Sequence, residues 1–105
     1  PAEIYPGKMR DYYRMVERDD LDAVIIASTW DVKASMAVAS MKAGKYVGVE
    51  VPAALTVEEC WDLVNTCEET GVPCMMLENV CYFQRVLSCA PVMYQSLPLS
   101  ATNMP

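Results

Sequence analysis

Residues 21–28 read LDAVIIAS, and this stretch decides the fold class of the chain. It is a continuous run of small and β-branched apolar residues, which is typical of a strand buried on both faces of a parallel sheet. A helical pattern follows over residues 32–42, and Gly44 stands where a left-handed helix cap belongs. A buried strand that leads directly into a helix favours an α/β fold.

The same alternation continues toward the C-terminus. Residues 46–49 form a second apolar run, and the sequence TVEE that begins at Thr56 is a capping box, which marks the start of a helix. Apolar residues then recur at helical spacing up to Gly71, and Trp61 lies on this apolar face, so we predict that it packs in the core. A third apolar run covers residues 74–77. The order predicts a parallel sheet of about three strands joined by crossover helices.

The two ends of the chain differ from this pattern. Residues 1–10 are rich in turn formers and indicate a loop, and Asp11 is placed to cap a short helix over residues 12–18. Residues 86–105 contain no charged residue and three prolines, without helical or strand periodicity. We therefore divide the chain into a folded segment, residues 1–82, and an irregular or disordered tail, residues 83–105.

Composition and charge exclude several classes of protein. Of the 105 residues, 53% are hydrophobic and 21% are charged, which is not the composition of a disordered chain. No apolar run approaches the roughly 18 residues of a membrane-spanning helix, and the first residues lack the order of a signal peptide, so we expect a soluble, cytoplasmic protein. The net charge is −6, and from Glu50 onward only Arg85 is basic. Without a basic stripe, nucleic acid is not an expected partner.

The cysteine pattern does not indicate a metal site. The first four cysteines are seven residues apart, unlike the cysteines of a C-x-x-C zinc motif, and the chain has no histidine. We interpret the cysteines as reduced, small core hydrophobes of a cytosolic protein. They are Cys60, Cys67, Cys74, Cys81 and Cys89.

Polar and aromatic side chains follow each of the three predicted strands. The segments are Thr29-Trp30-Asp31, Glu50-Val51-Pro52 and Glu78-Asn79. Ligands of open parallel sheets bind beyond the carboxyl ends of the strands, so these segments form a candidate site. Two alternatives stay open: Glu50 and Glu78 as solvated loop carboxylates, and Trp30 as a packing residue rather than a lid over a flat ligand. The chain has no G-x-G-x-x-G, P-loop or G-x-S-x-G motif, and we predict no catalytic residue in it.

Three longer stretches together carry a family resemblance. They are DLDAVIIAST (20–29), AGKYVGVEVPAALTVEE (43–59) and TGVPCMMLEN (70–79). Over roughly residues 9–82 the chain resembles the nucleotide-binding domain of the Gfo/Idh/MocA oxidoreductase family. Trp30, the sequence Glu50-Val51-Pro52 and CMMLENVCY at residues 74–82 look most like glycoside hydrolase family 109, which comprises NAD-dependent glycosidases such as α-N-acetylgalactosaminidases.

The resemblance implies a partial Rossmann-like parallel sheet, with NAD as the cofactor and a carbohydrate as the substrate of the complete protein. In the chemistry it implies, NAD⁺ transiently oxidises the sugar C3 hydroxyl, the glycosidic bond breaks by elimination, water adds and the hydride returns. The implied cofactor-binding residues are Trp30, Asp31, Val32, Lys33, Glu50, Val51 and Asn79.

Two departures from the family pattern affect this interpretation. Val51 stands where the sugar dehydrogenases of the family have a proton-transferring lysine, so the glycosidase branch is favoured over a sugar dehydrogenase fragment. In the loop Trp30-Asp31-Val32-Lys33, Val32 and Lys33 stand where the glycosidases have an aromatic residue and a histidine. A lysine there can still donate a hydrogen bond to a ribose or a carboxamide, but it cannot accept one.

The resemblance also places family elements outside this sequence. The glycine-rich pyrophosphate turn would precede Pro1, and the substrate-binding domain would follow Tyr82. We therefore expect a fragment of an oxidoreductase-family enzyme that is inactive alone and binds NAD weakly or not at all, because the pyrophosphate contact supplies much of the affinity. The alternative is a non-catalytic remnant or interaction module that associates with itself through an exposed sheet edge.

Overall fold

A computed structural model of the chain describes residues 11–88. The elements are α1 (Tyr12–Val16), β1 (Ala23–Ile26), α2 (Trp30–Lys42), β2 (Tyr46–Glu50), α3 (Val57–Thr70), β3 (Cys74–Leu77) and a short 3₁₀ helix (Asn79–Tyr82). The three strands form one sheet in the order β1-β2-β3, and both pairings are parallel. The predicted α/β fold with three parallel strands and crossover helices is confirmed.

Helix α3 begins and ends where the sequence predicts. The Glu59 N–H donates to the Thr56 hydroxyl at 3.2 Å, and the Glu59 carboxylate accepts from the Thr56 N–H at 3.2 Å. These two bonds complete the capping box and satisfy amides that have no partner within the helix. At the other end Gly71 adopts a φ of 67°, a left-handed conformation that glycine reaches without strain.

Helix α2 closes with a second left-handed glycine. Gly44 has a φ of 76°, and its N–H donates to the Met41 carbonyl at 2.9 Å. The next N–H, of Lys45, donates to the Ser40 carbonyl at 2.9 Å. This pair of bonds is a Schellman motif, which turns the chain out of the helix and into β2.

The core lies between one face of the sheet and α2. Alternate strand residues point into it, as the twofold periodicity of a strand requires. The buried residues are Val24 and Ile26 of β1, Val47 and Val49 of β2, Ala37 and Met41 of α2, and Val16 of α1.

The opposite face of the sheet is exposed. Ile25 is 70% exposed, and Tyr46 and Met75 also face outward. The apolar run of residues 21–28 predicted a strand buried on both faces, and this prediction is wrong for the part of the chain that the structure describes. The helices that pack on the strands cover the face of Val24 and Ile26, so the other half of the run has no covering element within residues 11–88.

The prediction that Trp61 packs in the core is also wrong. Trp61 is 61% exposed, and Val57 and Val64 on the same stripe of α3 are exposed with it. The helix instead packs through Leu63 and Cys67, which contact the core. The apolar side chains of α3 and the side chains that pack against the core are therefore offset around the helix axis. Sequence periodicity locates only the apolar side chains.

The first strand and the first helix are both shorter than predicted. Strand β1 spans four residues rather than 21–28, and its pairing with β2 ends at Ile26 opposite Val49. Helix α1 ends at Val16, and beyond it Arg18 donates two hydrogen bonds to Asp20, at 2.8 and 2.6 Å. These bonds lower the pKa of the Asp20 carboxyl.

Most of the predicted irregular tail, residues 83–105, lies outside the described range. Its first residues differ from the prediction, because residues 84–88 are helical. The N–H groups of Val86 and Leu87 both donate to the Phe83 carbonyl, at 2.8 and 3.0 Å, and the Ser88 hydroxyl donates to the Gln84 carbonyl at 2.7 Å. Among the helices that the structure describes, none is long and apolar enough to cross a membrane.

Candidate functional site

The topology brings the three predicted site segments to one edge of the sheet. Because the strands are parallel, their carboxyl ends lie on the same side. The registers align those ends, with Ile26 opposite Val49 and Glu50 opposite Leu77. Residues 29–33, 50–52 and 78–79 therefore follow three neighbouring strand ends. We call this the strand-end edge.

The first segment is helical rather than a loop. Helix α2 begins at Trp30, with Thr29 as its extended N-cap residue, and the Val32 N–H donates to the Thr29 carbonyl at 3.3 Å. The Thr29 side chain makes no capping hydrogen bond. Trp30 is 61% exposed and Asp31 is exposed beside it. The predicted positions thus form the first turn of a helix, whose amides and partial positive charge face the strand-end edge.

Lys33 differs from its neighbours because it is fully buried. Its side chain has 0% exposure, and its Nζ lies 3.1 Å from Glu50 Oε2, 3.2 Å from the Glu50 carbonyl oxygen and 3.1 Å from the Val51 carbonyl oxygen. An ammonium has three N–H donors, and three acceptors surround this one. The contacts join the first turn of α2 to the end of β2.

A sequence signal for this burial exists, although our interpretation of the sequence missed it. Lys33, Ala37, Ser40 and Met41 are all buried. Their spacing of four, three and one residues follows one face of a helix. A lysine on that stripe is placed in the interior, where it needs acceptors.

The second segment stands at the end of β2. The Glu50 side chain is 60% exposed, although one of its carboxylate oxygens accepts from Lys33. Val51 is partly exposed, and the Val51–Pro52 peptide bond is cis. The edge therefore carries a fixed but accessible carboxylate next to an apolar side chain.

In the third segment the Glu78 side chain has a structural role, whereas the Asn79 side chain is exposed. Glu78 caps the 3₁₀ helix, since its Oε1 accepts from the Val80 N–H at 2.7 Å. Asn79 is exposed and makes no side-chain hydrogen bond within residues 11–88. An open groove of about 240 Å³ runs beside Glu78 and Asn79. A larger groove, of about 450 Å³, lies away from the strand-end edge between α2 and α3.

The four cysteines within residues 11–88 are free thiols in two different environments. Cys67 and Cys74 are half-buried and pack against the core, as the interpretation as core hydrophobes predicts. Burial raises the pKa of the Cys74 thiol, and the nearby Cys67 adds to the effect. Cys60 and Cys81 are exposed instead, and Cys89 lies outside the described residues. Within residues 11–88 no three metal-ligating side chains cluster.

Known proteins are similar to this chain in sequence. The profile of an oxidoreductase family with an NAD-binding Rossmann fold matches residues 3–78. An α-N-acetylgalactosaminidase of Tannerella forsythia is 50% identical over 96 residues, which cover 90% of this chain and 20% of that protein. A glycosyl hydrolase family 109 protein of Parabacteroides distasonis is 47% identical over 96 residues, covering 90% of this chain and 21% of that protein.

The fold also matches solved structures. An NAD-binding protein from Listeria innocua superposes with a TM-score of 0.72 at 26% identity, covering 89% of this chain and 26% of that one. The chain spans about a fifth of the length of the curated relatives it matches.

Proposed function

Since this chain belongs to the Gfo/Idh/MocA oxidoreductase family, with its NAD-binding Rossmann fold, we propose that the strand-end edge forms one wall of an NAD(P) site. The observation that carries the proposal is the alignment of three strand ends, which places exposed side chains of α2, β2 and the 3₁₀ helix along one edge. The cofactor-binding residues proposed are Trp30, Asp31, Val32, Glu50, Val51 and Asn79. The family resemblance also implies Lys33, whose side chain is buried against Glu50 and Val51.

The residues present fit a dinucleotide. Trp30 offers an exposed aromatic face for a flat ring, and the Asn79 amide has both a donor and an acceptor free within residues 11–88. Glu50 adds a carboxylate that can accept from ribose hydroxyls, and Val51 adds an apolar contact. When bound, NAD⁺ supplies hydride acceptance and return, while these side chains bind and orient the ring.

We further propose that the complete protein is an NAD-dependent glycosidase acting on an α-N-acetylgalactosaminide. The name of the Tannerella forsythia relative supports this substrate class, and the family 109 name of the Parabacteroides distasonis relative supports a glycosidase. Val51 also supports the glycosidase branch, because a valine cannot transfer a proton at a sugar hydroxyl. The same substitution disfavours a sugar dehydrogenase. Residues 1–82 form a partial cofactor-binding domain in this proposal, so the 105 residues alone are inactive. The free thiols support a reducing, cytoplasmic location.

The binding proposal is tested by amide NMR of the 105-residue chain with millimolar NADH. We expect weak, saturable shifts at the amides of residues 29–33, 50–51 and 79, because the sequence has no glycine-rich pyrophosphate turn to raise the affinity. Trp30→Ala is expected to reduce these shifts by severalfold, since stacking contributes about 1 kcal/mol. Trp61→Ala is the matched control, because both tryptophans are 61% exposed.

Three outcomes would each refute one part of the proposal. A folded chain without any shift at the strand-end edge would refute the cofactor site, and a micromolar dissociation constant would refute the expected weak binding. Hydrolysis of a nitrophenyl α-N-acetylgalactosaminide by the 105-residue chain would refute its inactivity alone.

A second candidate function is an interaction module that associates with itself through an edge of the sheet. Strand β1 pairs only with β2 within residues 11–88, and Ile25 next to this open edge is 70% exposed. We expect sedimentation equilibrium to show a concentration-dependent dimer that Ile25→Lys abolishes, because a charge on the edge opposes strand pairing. A monomer at all concentrations would eliminate this candidate.

A further inference from the structure

Lys33 carries the most unusual contact set in the described part of the chain. Its ammonium is fully buried, and its three hydrogen bonds within residues 11–88 all go to Glu50 or Val51. Burying a charge is costly unless the charge is paired and hydrogen-bonded. These contacts supply both conditions, a carboxylate and two carbonyl oxygens.

Because Lys33 lies near the N-terminus of α2, its ammonium depends even more on these three acceptors. Lys33 is the fourth residue of α2, within the first turn or so of the helix, where the partial charge of the helix dipole is positive and disfavours a cation. The lysine is therefore stable at this position only while residues 50–51 stay next to it. The first turn of α2 and the end of β2 are consequently held as one unit.

The same geometry argues against direct contact between Lys33 and a ligand. The three N–H donors face three protein acceptors at 3.1 to 3.2 Å, and the side chain has no exposed surface. The Glu50 side chain that it holds is 60% exposed at the strand-end edge. A ligand at this edge can reach Glu50, but it would have to displace a bond to reach the ammonium.

We propose that Lys33 is a positioning residue, which orients Glu50 and the Val51 carbonyl for the cofactor and does not bind the cofactor itself. This inference rests on the cofactor site proposed above. It refines the assignment of Lys33 as a cofactor contact, which came from the family resemblance rather than from the contacts of this chain.

The positioning role is tested first without any ligand, by hydrogen exchange and mass spectrometry of the 105-residue chain. Lys33→Met is expected to speed exchange in the peptide covering residues 47–56 by about tenfold, since bonds from a charged donor are lost there. Exchange over residues 57–70 is expected to rise less. Lys42→Met on the exposed end of α2 is the matched control and is expected to leave residues 47–56 unchanged.

A global loss of stability would raise exchange in both peptides alike and would overturn the positioning role. If Lys33→Met does not fold, Glu50→Gln replaces it, because this variant removes the carboxylate and keeps both carbonyl acceptors. Unchanged exchange over residues 47–56 in Glu50→Gln would then overturn the inference.

Direct contact with the cofactor is tested by a double-mutant cycle on the NADH dissociation constant from amide shifts. We expect Lys33→Met to weaken NADH binding about tenfold, the effect of losing one charge-assisted hydrogen bond. Adding Glu50→Gln to this variant is expected to weaken binding no further. Multiplying effects would show an independent contact of Lys33 with the cofactor and would overturn the inference. If the unmodified chain gives no NADH shifts, the proposed function fails, whereas the exchange experiment still decides whether Lys33 holds residues 50–51.

Discussion

Replacing Ile26 by alanine is expected to lower the free energy of unfolding by about 2 to 5 kcal/mol, the range for truncating a buried aliphatic side chain. Ile26 is 1% exposed and packs among the buried residues of β1, β2 and α2. Truncation removes its apolar contacts and leaves a cavity that neighbours on rigid strands fill only in part. Urea denaturation followed by circular dichroism measures the loss.

The adjacent residue provides the control. Ile25→Ala makes the same chemical change in the same strand, with the same effect on strand propensity, but on the exposed face. We expect a loss of about 0.5 kcal/mol or less, as for surface substitutions. Equal losses for the two variants would contradict the one-sided burial described here, because they would require that the second face is covered in solution.

Enlarging Ala37 to leucine is the second change with a large expected effect. Ala37 is fully buried where α2 lies against the sheet, in contact with the core. A leucine needs space that the closely packed helix and strands do not have, so α2 must shift or the side chain must leave its preferred rotamer. We expect a loss of about 1 to 3 kcal/mol, again from urea denaturation.

Alanine and leucine have similar helix propensities, so the effect of Ala37→Leu isolates packing. Ser35→Leu, at an exposed position of the same helix, is the control and is expected to change stability by about 0.5 kcal/mol or less. If Ala37→Leu is neutral or stabilising, the space between α2 and the sheet is larger than the structure shows.

Much of the fold could be predicted because it depends on local signals. The capping box at Thr56 and the glycines at positions 44 and 71 act on backbone groups within a few residues, so their sequence pattern determines their geometry. The third strand coincides with its apolar run, since Pro73 and the end of the run bound it. The alignment of strand ends then follows from parallel pairing.

The errors concern contacts between segments distant in sequence. An apolar run does not indicate whether one face or both faces of a strand are covered. We therefore expected Ile25 to be buried, whereas it is exposed. Trp61 was misplaced because the packed stripe of α3 depends on its angle to β3 and α2. Lys33 was expected to face a ligand, whereas its partners come from the end of a strand 17 positions later.

The order of the strands in the sheet has a consequence for how the chain folds. Within residues 11–88, each strand pairs with the one that follows it in sequence, and no strand lies between two consecutive ones. Every pairing therefore closes only one helical crossover, which keeps the entropic cost of each step low. During synthesis β1 and α2 are available before β2 emerges, and β2 before β3, so the sheet can grow in the direction of translation.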